Sequence, residues 1–360
     1  MPNASSKYEP MIDRKASKKA ESGRSGHQSF RFSLYLLLAV ALVAGCSHKK
    51  PSAPLPAKGI DYTQVQAPQP NADSAFRFVQ EQVAFGFRIP GSEAWRRCAE
   101  YIAARMGRWC DTVVLQDFHT TLWDGSRVPG RNIVASLNPG ASRRVLLAAH
   151  WDSRMWADHD PDDGNHRSPV PGANDGASGA AVLMEMARVM AALPPSVGVD
   201  FVFFDVEDQG LPEWSERYED NTWCKGSQHW AQNRHIPYYT AVYGILFDMV
   251  GTDQPRFTKE QVSRYYAPGL TDKLWSAAAA LGFGNIFVNQ ETDPILDDHM
   301  YVNQIARIPM VDIVQNSPTT SFFSHWHTTT DDLEAVNAES MRIVATVAMK
   351  TVYGDYPAAR

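Results

Sequence analysis

The stretch at 201–208, "FVFFDVED", places three carboxylates directly after a run of apolar residues. Packed like charges repel each other, and a buried carboxylate loses its hydration unless a cation or hydrogen-bond donors compensate for the loss. Asp205, Glu207 and Asp208 therefore indicate either that the segment opens to water or that a cation lies at its end. Neighbouring residues that leave a strand point in opposite directions. One of Glu207 and Asp208 can thus bind a metal while the other serves a substrate as general acid/base.

Other acidic and histidine residues stand at comparable places along the chain. Each has an ordinary structural explanation when taken alone; Asp175, for example, is a plausible N-cap of the helix that follows it. Ligands of open α/β sheets bind beyond the carboxyl ends of the strands, so convergence on one rim is expected. Histidine and carboxylate together, without cysteine, favour zinc over calcium or an iron–sulfur cluster. The candidates with this placement are His150, Asp152, Asp175, Glu207, Asp208, Asp248, His325 and His327.

Apolar runs, helical periodicity and turn residues predict strands that alternate with helices. The strands are continuous apolar runs, which suits a sheet covered on both faces. We therefore predict an α/β fold with a single domain. The predicted strands are 131–137, 145–151, 199–204, 243–251 and 308–314. The predicted helices are 73–84, 92–107, 176–193, 223–232, 270–281, 298–306 and 334–353.

The N-terminal part of the chain has the pattern of a targeting segment. Basic residues precede the apolar run "FSLYLLLAVALVAG", and Val-Ala-Gly-Cys at its end looks like a bacterial lipobox. We expect residues 1–45 to be a lipoprotein signal peptide that starts at Met1 or Met11, and Cys46 to carry the lipid. An uncleaved anchor and a plain signal peptide are the alternatives.

The lipobox predicts a location and a domain organisation. Residues 46–69 are Pro-rich and are expected to form a tether, which leaves 70–360 as the zinc-dependent catalytic domain. The lipid would anchor the protein in the bacterial cell envelope, facing the periplasm. Ser47 gives no inner-membrane retention signal, so the outer membrane is favoured.

Composition sets further bounds. The formal net charge of −6 argues against a nucleic-acid partner, and 44% apolar residues can build a sizeable core. We expect a monomer. If the segment from Cys98 to Cys110 is all helical, the two Cα atoms lie ~18 Å apart, beyond the reach of a disulfide. Cys98, Cys110 and Cys224 are therefore expected to be buried free thiols.

Six motifs in a fixed order resemble the M28 metallopeptidase superfamily over roughly residues 70–355. They are "HWD" (150–152), "GANDGASG" (172–179), "FFDVED" (203–208), "FDMVG" (247–251), "DDH" (297–299) and "HWHTTTDD" (325–332). The resemblance implies a central mixed, mostly parallel β-sheet flanked by helices on both faces. It also implies one of two activities: di-zinc aminopeptidases release N-terminal residues, and glutaminyl cyclases use one zinc to convert an N-terminal Gln to pyroglutamate with release of ammonia.

The resemblance also assigns roles to individual residues. The ligands of the single cyclase zinc correspond to Asp175, Asp208 and His327, and the general acid/base corresponds to Glu207. His150 and Asp248 match both groups. They are the possible ligands of a second metal, and Asp248 also belongs to the catalytic set.

Three features favour the cyclase. Asp297 precedes Asp-His where peptidases of this group commonly have Ser, and it would position the proton relay. Trp326 directly precedes His327, as the Trp of the cyclase pocket does, and the "WCKGSQHWA" segment is similar to bacterial cyclase-like sequences. Trp214 and Asp312 are further candidates for substrate binding, although Asp312 stands where animal cyclases have His.

The expected function is that of a zinc-dependent glutaminyl-peptide cyclotransferase acting on peptides and proteins with N-terminal Gln. A tight aromatic pocket would hold the substrate's amine near its own side-chain amide, which is catalysis by proximity. No water nucleophile is needed, so a second metal is unnecessary. A di-zinc M28 aminopeptidase is the alternative. A catalytically inactive binding protein is a third class, which the intact set of ligands disfavours.

Overall fold

The computed structural model describes residues 59–216, 221–316 and 322–359. The predicted signal peptide, the lipidation site Cys46 and most of the predicted tether lie outside these ranges, so they stay predictions. Among the described residues, no helix combines the length and hydropathy needed to cross a membrane.

Eight strands and eight helices alternate along much of the described chain. The strands are β1 Thr112–Thr121, β2 Arg127–Leu137, β3 Arg144–His150, β4 Gly198–Phe204, β5 Tyr243–Asp248, β6 Phe257–Glu260, β7 Phe287–Thr292 and β8 Met310–Val314. The helices are α1 Ala72–Val83, α2 Glu93–Met106, α3 Ala177–Ala192, α4 Lys225–Gln232, α5 Gln261–Tyr266, α6 Pro268–Ala280, α7 Asp298–Tyr301 and α8 Ala338–Asp355.

Six of the strands form one sheet in the order β1-β2-β4-β3-β5-β8. The pairings of β3 with β4, β3 with β5 and β5 with β8 are parallel, whereas β1 with β2 and β2 with β4 are antiparallel. Strands β6 and β7 form a separate two-stranded parallel sheet. The prediction of a mixed, mostly parallel sheet is confirmed.

Both faces of the central sheet are covered, as the apolar strands predicted. All seven residues of β3 and of β4 are buried. Side chains alternate between the two faces along a strand. Leu147 accordingly packs in the larger core cluster, which includes α1, α3 and α8, while its neighbour Leu146 packs in the second cluster with Trp230 of α4. The carboxyl ends of β3, β4 and β5 are thereby held side by side at one edge.

Several elements differ from the sequence prediction. Strand β1 was not predicted, because most of its side chains are exposed or half-buried and its alternation is weak; pairing with β2 along its whole length holds it in place. The small sheet of β6 and β7 and the short α5 were also missed. The predicted helix 298–306 is the single α-helical turn of α7 followed by a π-helical turn at Val302–Ala306.

Local backbone chemistry explains two shifted boundaries. Strand β5 ends at Asp248, short of the predicted 251, because Met249 has a φ of 48° that leaves the extended conformation. The last helix begins at Ala338 rather than 334, because the Asn337 side chain accepts from the backbone N–H groups of Glu339 and Ser340 and caps it there.

The described end of the predicted tether is packed against the domain. Tyr62 is 5% exposed and lies in the larger core cluster. Lys350 of α8 donates to the backbone oxygen of Val65. An aromatic side chain in this Pro-rich segment gains free energy by burial, so residues 59–69 differ from the free tether that their composition predicted.

The three described cysteines are free. Cys98 and Cys224 are buried, as predicted, but Cys110 is half-buried. The prediction that Cys110 is a free thiol is confirmed, whereas the prediction that it is buried was wrong. Helix α2 ends at Met106, so Cys110 lies beyond the helix and outside its buried face.

Candidate active site

The predicted polar residues meet at the carboxyl edge of the central sheet. His150 is the last residue of β3 and Asp248 the last of β5, while Glu207 and Asp208 follow β4, which lies beside β3. Parallel neighbours bring their carboxyl ends together, so these side chains come from three adjacent positions.

Asp205, the first of the three acids after β4, is compensated by hydrogen-bond donors. Its carboxylate accepts from Trp95 Nε1 at 2.8 Å and from the backbone N–H groups of Arg131 at 2.6 Å and Val206 at 2.8 Å. Burial, followed by the nearby Asp152 charge, raises the pKa of Asp205 well above its usual value. Asp205 thus has its own donors and belongs to neither of the metal-ligand clusters described below.

Asp152 holds the loop that carries the next two acids. Its carboxylate accepts from the backbone N–H groups of Glu207 at 3.2 Å and Asp208 at 3.3 Å, and from Gln209 Nε2 at 3.0 Å. It also lies 3.5 Å from His150 Nδ1. Asp152 therefore positions the loop of Glu207 and Asp208 and is not one of the candidate metal ligands in the two clusters described next.

The first cluster contains Asp175, Asp208 and His327, one donor atom of each lying within 4.8 Å of the others. His327 Nε2 is 3.0 Å from Asp208 Oδ1 and 3.8 Å from Asp175 Oδ2. All three side chains are buried, and Asp208 Oδ2 is a buried oxygen without a hydrogen-bond partner among the described residues. An imidazole and two carboxylates, one with an unpaired oxygen, fit the ligand preferences of zinc.

The segment before α3 presents Asp175 to both histidines. Asp331 accepts from the backbone N–H groups of Asn174 at 2.8 Å and Asp175 at 3.0 Å. Gly176 has a φ of 92°, and a Cβ there would lie 2.5 Å from the backbone oxygen of Asp152, so the turn requires glycine. Gly176 is also the N-cap residue of α3, so the N-cap alternative for Asp175 was wrong.

Two indole rings pack against the ring of His327. Its ring stacks on Trp326 with centroids 3.8 Å apart and lies parallel to Trp223 at 5.8 Å with an interplanar angle of 12°. Burial lowers the pKa of His327, but Asp208 and then Asp158 act in the opposite direction and raise it overall. The ring is thus restrained in orientation while its nitrogens face carboxylates.

A second cluster shares Asp175 with the first. His150 Nε2 is 3.0 Å from Asp175 Oδ1 and 3.1 Å from Asp248 Oδ1. The three donor atoms lie within 4.8 Å of one another. Burial raises the pKa of Asp248 to about 7, with the Asp297 charge acting in the same direction. The two oxygens of Asp175 therefore face one histidine each, and the edge offers donor sets for two metal positions.

Glu207 lies beside both clusters without being part of either. Its side chain is 12% exposed; Oε2 is 3.8 Å from His150 Nδ1, and Oε1 accepts from Cys224 Sγ at 3.2 Å. Glu207, Cys224 and Asp297 each place a donor atom within 4.8 Å of the others. Burial raises the pKa of Glu207 well above its usual value, with Asp208 and Asp297 adding to the rise and His150 opposing it. A carboxyl group whose pKa is raised in this way binds a proton more readily than a free one, as a general acid/base must.

Buried polar groups extend from Asp297 into the protein. Asp297, His299 and Asp312 place donor atoms within 4.8 Å of one another, and His299 Nε2 is 3.2 Å from Glu260 Oε1. Burial raises the pKa of Asp312 well above its usual value, and Asp297 adds to the rise. Asp312 is 1% exposed within β8. Asp312 is thus a buried neighbour of Asp297, and its predicted role in substrate binding stays a prediction.

The remaining candidates divide between the site and its surroundings. Trp326 is at the site through its contact with His327. The Trp214 ring lies 6.1 Å from Trp156, in an aromatic group beside the site rather than on His327. His325 Nδ1 is 2.8 Å from Thr330 Oγ1 and belongs to neither cluster, so its candidacy as a ligand was wrong.

Five further residues of the site were not assigned from the sequence. Arg154 and Asp158 lie in the polar loop after β3, and nothing in their spacing distinguishes them from surface residues. The other three stand inside quoted motifs, where each reads as an ordinary loop or helix-end residue. The five are Arg154, Asp158, Trp223, Cys224 and Asp331.

The chain is similar to known zinc-dependent exopeptidases and glutaminyl cyclases. Among solved structures, a Zn-dependent exopeptidase from Parabacteroides distasonis is 43% identical with a TM-score of 0.79, covering 80% of this chain and 99% of that one. Tannerella forsythia glutaminyl cyclase is 45% identical with a TM-score of 0.78, covering 79% and 99%. A glutaminyl-peptide cyclotransferase-like protein from Mus musculus is 27% identical over 228 residues, 56% of this chain and 54% of that protein.

The chain spans about half the length of the curated relatives it matches. Residues 132–352 match peptidase family M28, and this range contains every residue of both clusters. The predicted M28 resemblance and the choice of zinc are confirmed. The chain belongs to the zinc-dependent peptidase family M28.

Proposed function

We propose that this protein is a glutaminyl-peptide cyclotransferase, which converts an N-terminal Gln of peptides and proteins to pyroglutamate and releases ammonia. The observation that carries the proposal is the position of Glu207. This residue lies beside the Asp175–Asp208–His327 cluster and within 4.8 Å of Asp297. A proton carrier backed by a second carboxyl group suits a reaction that moves one proton from a nucleophile to a leaving group.

The assignment of the metal follows from the first cluster. Asp175, Asp208 and His327 would hold a single zinc, and their buried, partly unpaired donor atoms support this role. When bound there, zinc supplies a Lewis acid for the carbonyl of the substrate's side-chain amide.

Glu207 performs the proton transfer in the proposed reaction. The substrate's α-amine attacks the carbon of its own side-chain amide, and Glu207 takes the proton that this nitrogen loses. As the C–N bond to the side-chain nitrogen breaks, Glu207 gives the proton to that nitrogen, which leaves as ammonia. The buried state of Glu207 supports the role, because a raised pKa brings a carboxyl group closer to the pH at which it works.

Aromatic residues would select and hold the substrate. The Trp326 indole stacks on His327 and forms one wall beside the first cluster. A rigid wall can hold the amine near the amide, so that the reaction proceeds by proximity, and it limits the entry of water that would hydrolyse the amide. The 45% identity to a chain described as a glutaminyl cyclase, over nearly all of that chain, supports the same function.

A di-zinc aminopeptidase is the second candidate, and one observation favours it. His150, Asp175 and Asp248 form a complete second donor set that shares a carboxylate with the first. Two adjacent metals suit a reaction in which an activated water attacks a peptide bond. The similarity to a chain described as a Zn-dependent exopeptidase points the same way.

Two peptides that differ only in their first residue separate the candidates. One begins with Gln and the other with Leu, and each is incubated with the zinc-loaded protein and followed by mass spectrometry. A cyclase removes the mass of one ammonia from the Gln peptide and leaves the Leu peptide intact. Release of free Leu, with no loss of ammonia from the Gln peptide, would establish the peptidase instead. The Glu207→Gln protein is the control for contaminating activity.

A further inference from the structure

A buried ion pair joins two residues of the loop that follows β3. Arg154 Nε donates to Asp158 Oδ1 at 2.7 Å, and Arg154 Nη2 donates to Asp158 Oδ2 at 2.6 Å. The side chains are 0% and 1% exposed. Removing two charges from water is costly, and a bidentate geometry recovers only part of that cost. A pair of this kind is weak evidence for stability, so its position is the more informative property.

The pair contacts two residues of the first cluster. Asp158 Oδ1 is 3.4 Å from His327 Nδ1, on the opposite side of the ring from the Nε2 that faces Asp208. Arg154 Nη1 donates to the backbone oxygen of Asp208 at 2.8 Å and lies 3.7 Å from its Oδ1. One ion pair therefore restrains the imidazole and one of the carboxylates of the cluster.

The surroundings leave the pair little freedom. The Arg154 guanidinium lies over the Trp223 ring at 4.6 Å and over the Trp156 ring at 5.5 Å, so it contacts two indoles. Trp223 in turn lies parallel to the ring of His327. Cation–π contacts of a desolvated guanidinium are favourable, and they fix the plane from which Arg154 donates its hydrogen bonds.

We propose that Arg154 and Asp158 are positioning residues that set the zinc affinity of the first cluster. His327 Nδ1 has no hydrogen-bond partner among the described residues, and Asp158 Oδ1 lies beside it at 3.4 Å. In the zinc-loaded protein a hydrogen bond from Nδ1–H to this oxygen would select the tautomer with a free Nε2 lone pair directed at the metal position. Arg154 holds Asp158 in place and, through the backbone oxygen, restrains Asp208. Outer partners of this kind typically change metal affinity by about 10- to 100-fold.

This inference rests on the proposed zinc ligands and not on the reaction that they catalyse. It applies equally to a cyclase and to a peptidase. A measurement of zinc affinity without substrate is therefore independent of the outcome of the two-peptide assay.

The chain contains a matched control for the loss of a buried ion pair. Arg144 Nε donates to Asp200 Oδ2 and Arg144 Nη2 to Asp200 Oδ1, both at 2.6 Å. These side chains are 6% and 0% exposed. Asp200 also accepts from Ser136 Oγ at 2.5 Å and from the Tyr239 hydroxyl at 2.7 Å. The pair lies near the amino ends of β3 and β4, away from the carboxyl edge, and among the described residues it contacts no member of either cluster. Its loss therefore reports the cost of disrupting a buried ion pair and its hydrogen bonds outside the site.

The test compares Asp158→Asn, Arg154→Lys and Asp200→Asn with the unsubstituted protein. Zinc dissociation constants are measured by competition with a chromophoric chelator, and the visible spectrum of the cobalt-substituted protein reports the ligand geometry. Thermal melting of each metal-free protein gives the stability.

The expected results separate positioning from stability. Asp158→Asn should weaken zinc binding by about 10- to 100-fold and alter the cobalt spectrum, and Arg154→Lys should do so to a smaller extent. Asp200→Asn should lower the melting temperature and leave both metal readouts unchanged. The proposal is overturned if the Asp158 and Arg154 variants bind zinc within twofold of the unsubstituted protein, or if Asp200→Asn weakens zinc binding equally. If Asp158→Asn does not fold, Arg154→Lys decides by the same criteria.

Discussion

Replacement of Glu207 by Gln separates proton transfer from metal binding. Gln has nearly the same shape as Glu, and its side-chain oxygen can still accept from Cys224 Sγ, which lies 3.2 Å from Glu207 Oε1. The Gln side chain, however, has no carboxyl group and cannot take up or release a proton in the reaction. Loss of a positioned general acid/base typically lowers the rate by about 10²- to 10⁴-fold, which corresponds to roughly 3 to 5 kcal/mol of activation free energy.

The structure also predicts what the substitution leaves unchanged. Glu207 belongs to neither donor cluster, so zinc content should match that of the unsubstituted protein. Burial together with Asp208 and Asp297 raises the pKa of Glu207, which means that the folded protein favours the neutral form. Gln imitates that neutral form and should fold at least as stably.

The pH dependence of stability has a definite sign in the metal-free protein. Because the folded pKa of Glu207 lies above the unfolded value, the folded state binds more protons in that interval and loses stability as pH rises through it. The Glu207→Gln variant does not lose stability in this way, because Gln does not titrate. Its advantage in melting temperature should therefore grow as pH rises from about 4.3, the usual pKa of Glu.

The assays are steady-state turnover of a Gln-initiated peptide, zinc content by atomic absorption, and thermal melting of the metal-free protein. A Glu207→Gln protein that retains more than a tenth of the unsubstituted turnover number would remove Glu207 from the proton-transfer step. A variant that has lost its zinc would show that Glu207 is itself a ligand. Cys224→Ser is the matched control, because a hydroxyl can donate to Glu207 in place of the thiol and most of the activity should remain.

Three other predictions concern the metal, the aromatic wall and the buried acids. Asp175→Ala removes the carboxylate shared by both clusters, so zinc content should fall to a small fraction, and full occupancy would show that the ligand set is wrong. Trp326→Ala removes the indole stacked on His327 at 3.8 Å. KM should rise about 2- to 13-fold, which corresponds to the 0.5–1.5 kcal/mol of an aromatic pair, and an equal effect of Trp214→Ala would argue against a specific wall. Asp312→Asn replaces a buried ionisable carboxyl group near Asp297 with an amide that cannot exchange a carboxyl proton. It should lower kcat by about tenfold with KM unchanged, and an unchanged kcat would separate Asp312 from the proton relay.

The sequence predicted the convergence of the site because convergence follows from topology. Apolar strands that are buried on both faces must lie in the interior of a parallel sheet, and their carboxyl ends then meet at one edge. The positions of His150 and Asp248 follow from the topology alone, since each is the last residue of its strand. The motif around Asp175 added the glycine that the turn before α3 requires.

The outer contacts of the site could not be predicted in the same way. Arg154 and Asp158 are four residues apart in a loop, and their pairing depends on how that loop packs against Asp208 and His327, which are distant in sequence. Strand β1 was missed for a related reason, because its place depends on pairing with β2 rather than on its own apolar pattern. Tertiary context decides such features.

The three carboxylates at the end of β4 can coexist because each is held differently. Val206 has a φ of 54°, so the chain turns sharply after Asp205 and separates that residue from the two acids that follow. Asp205 is satisfied by one indole and two backbone donors, and Asp208 is paired with His327. Glu207 keeps only a thiol donor and a more distant imidazole, so its charge is the least compensated of the three. Burial raises the pKa of Asp205 as well as that of Glu207, so position decides between them. Asp205 is tied to donors of the scaffold, whereas Glu207 lies beside the clusters and near Asp297, where a proton can be exchanged with a substrate.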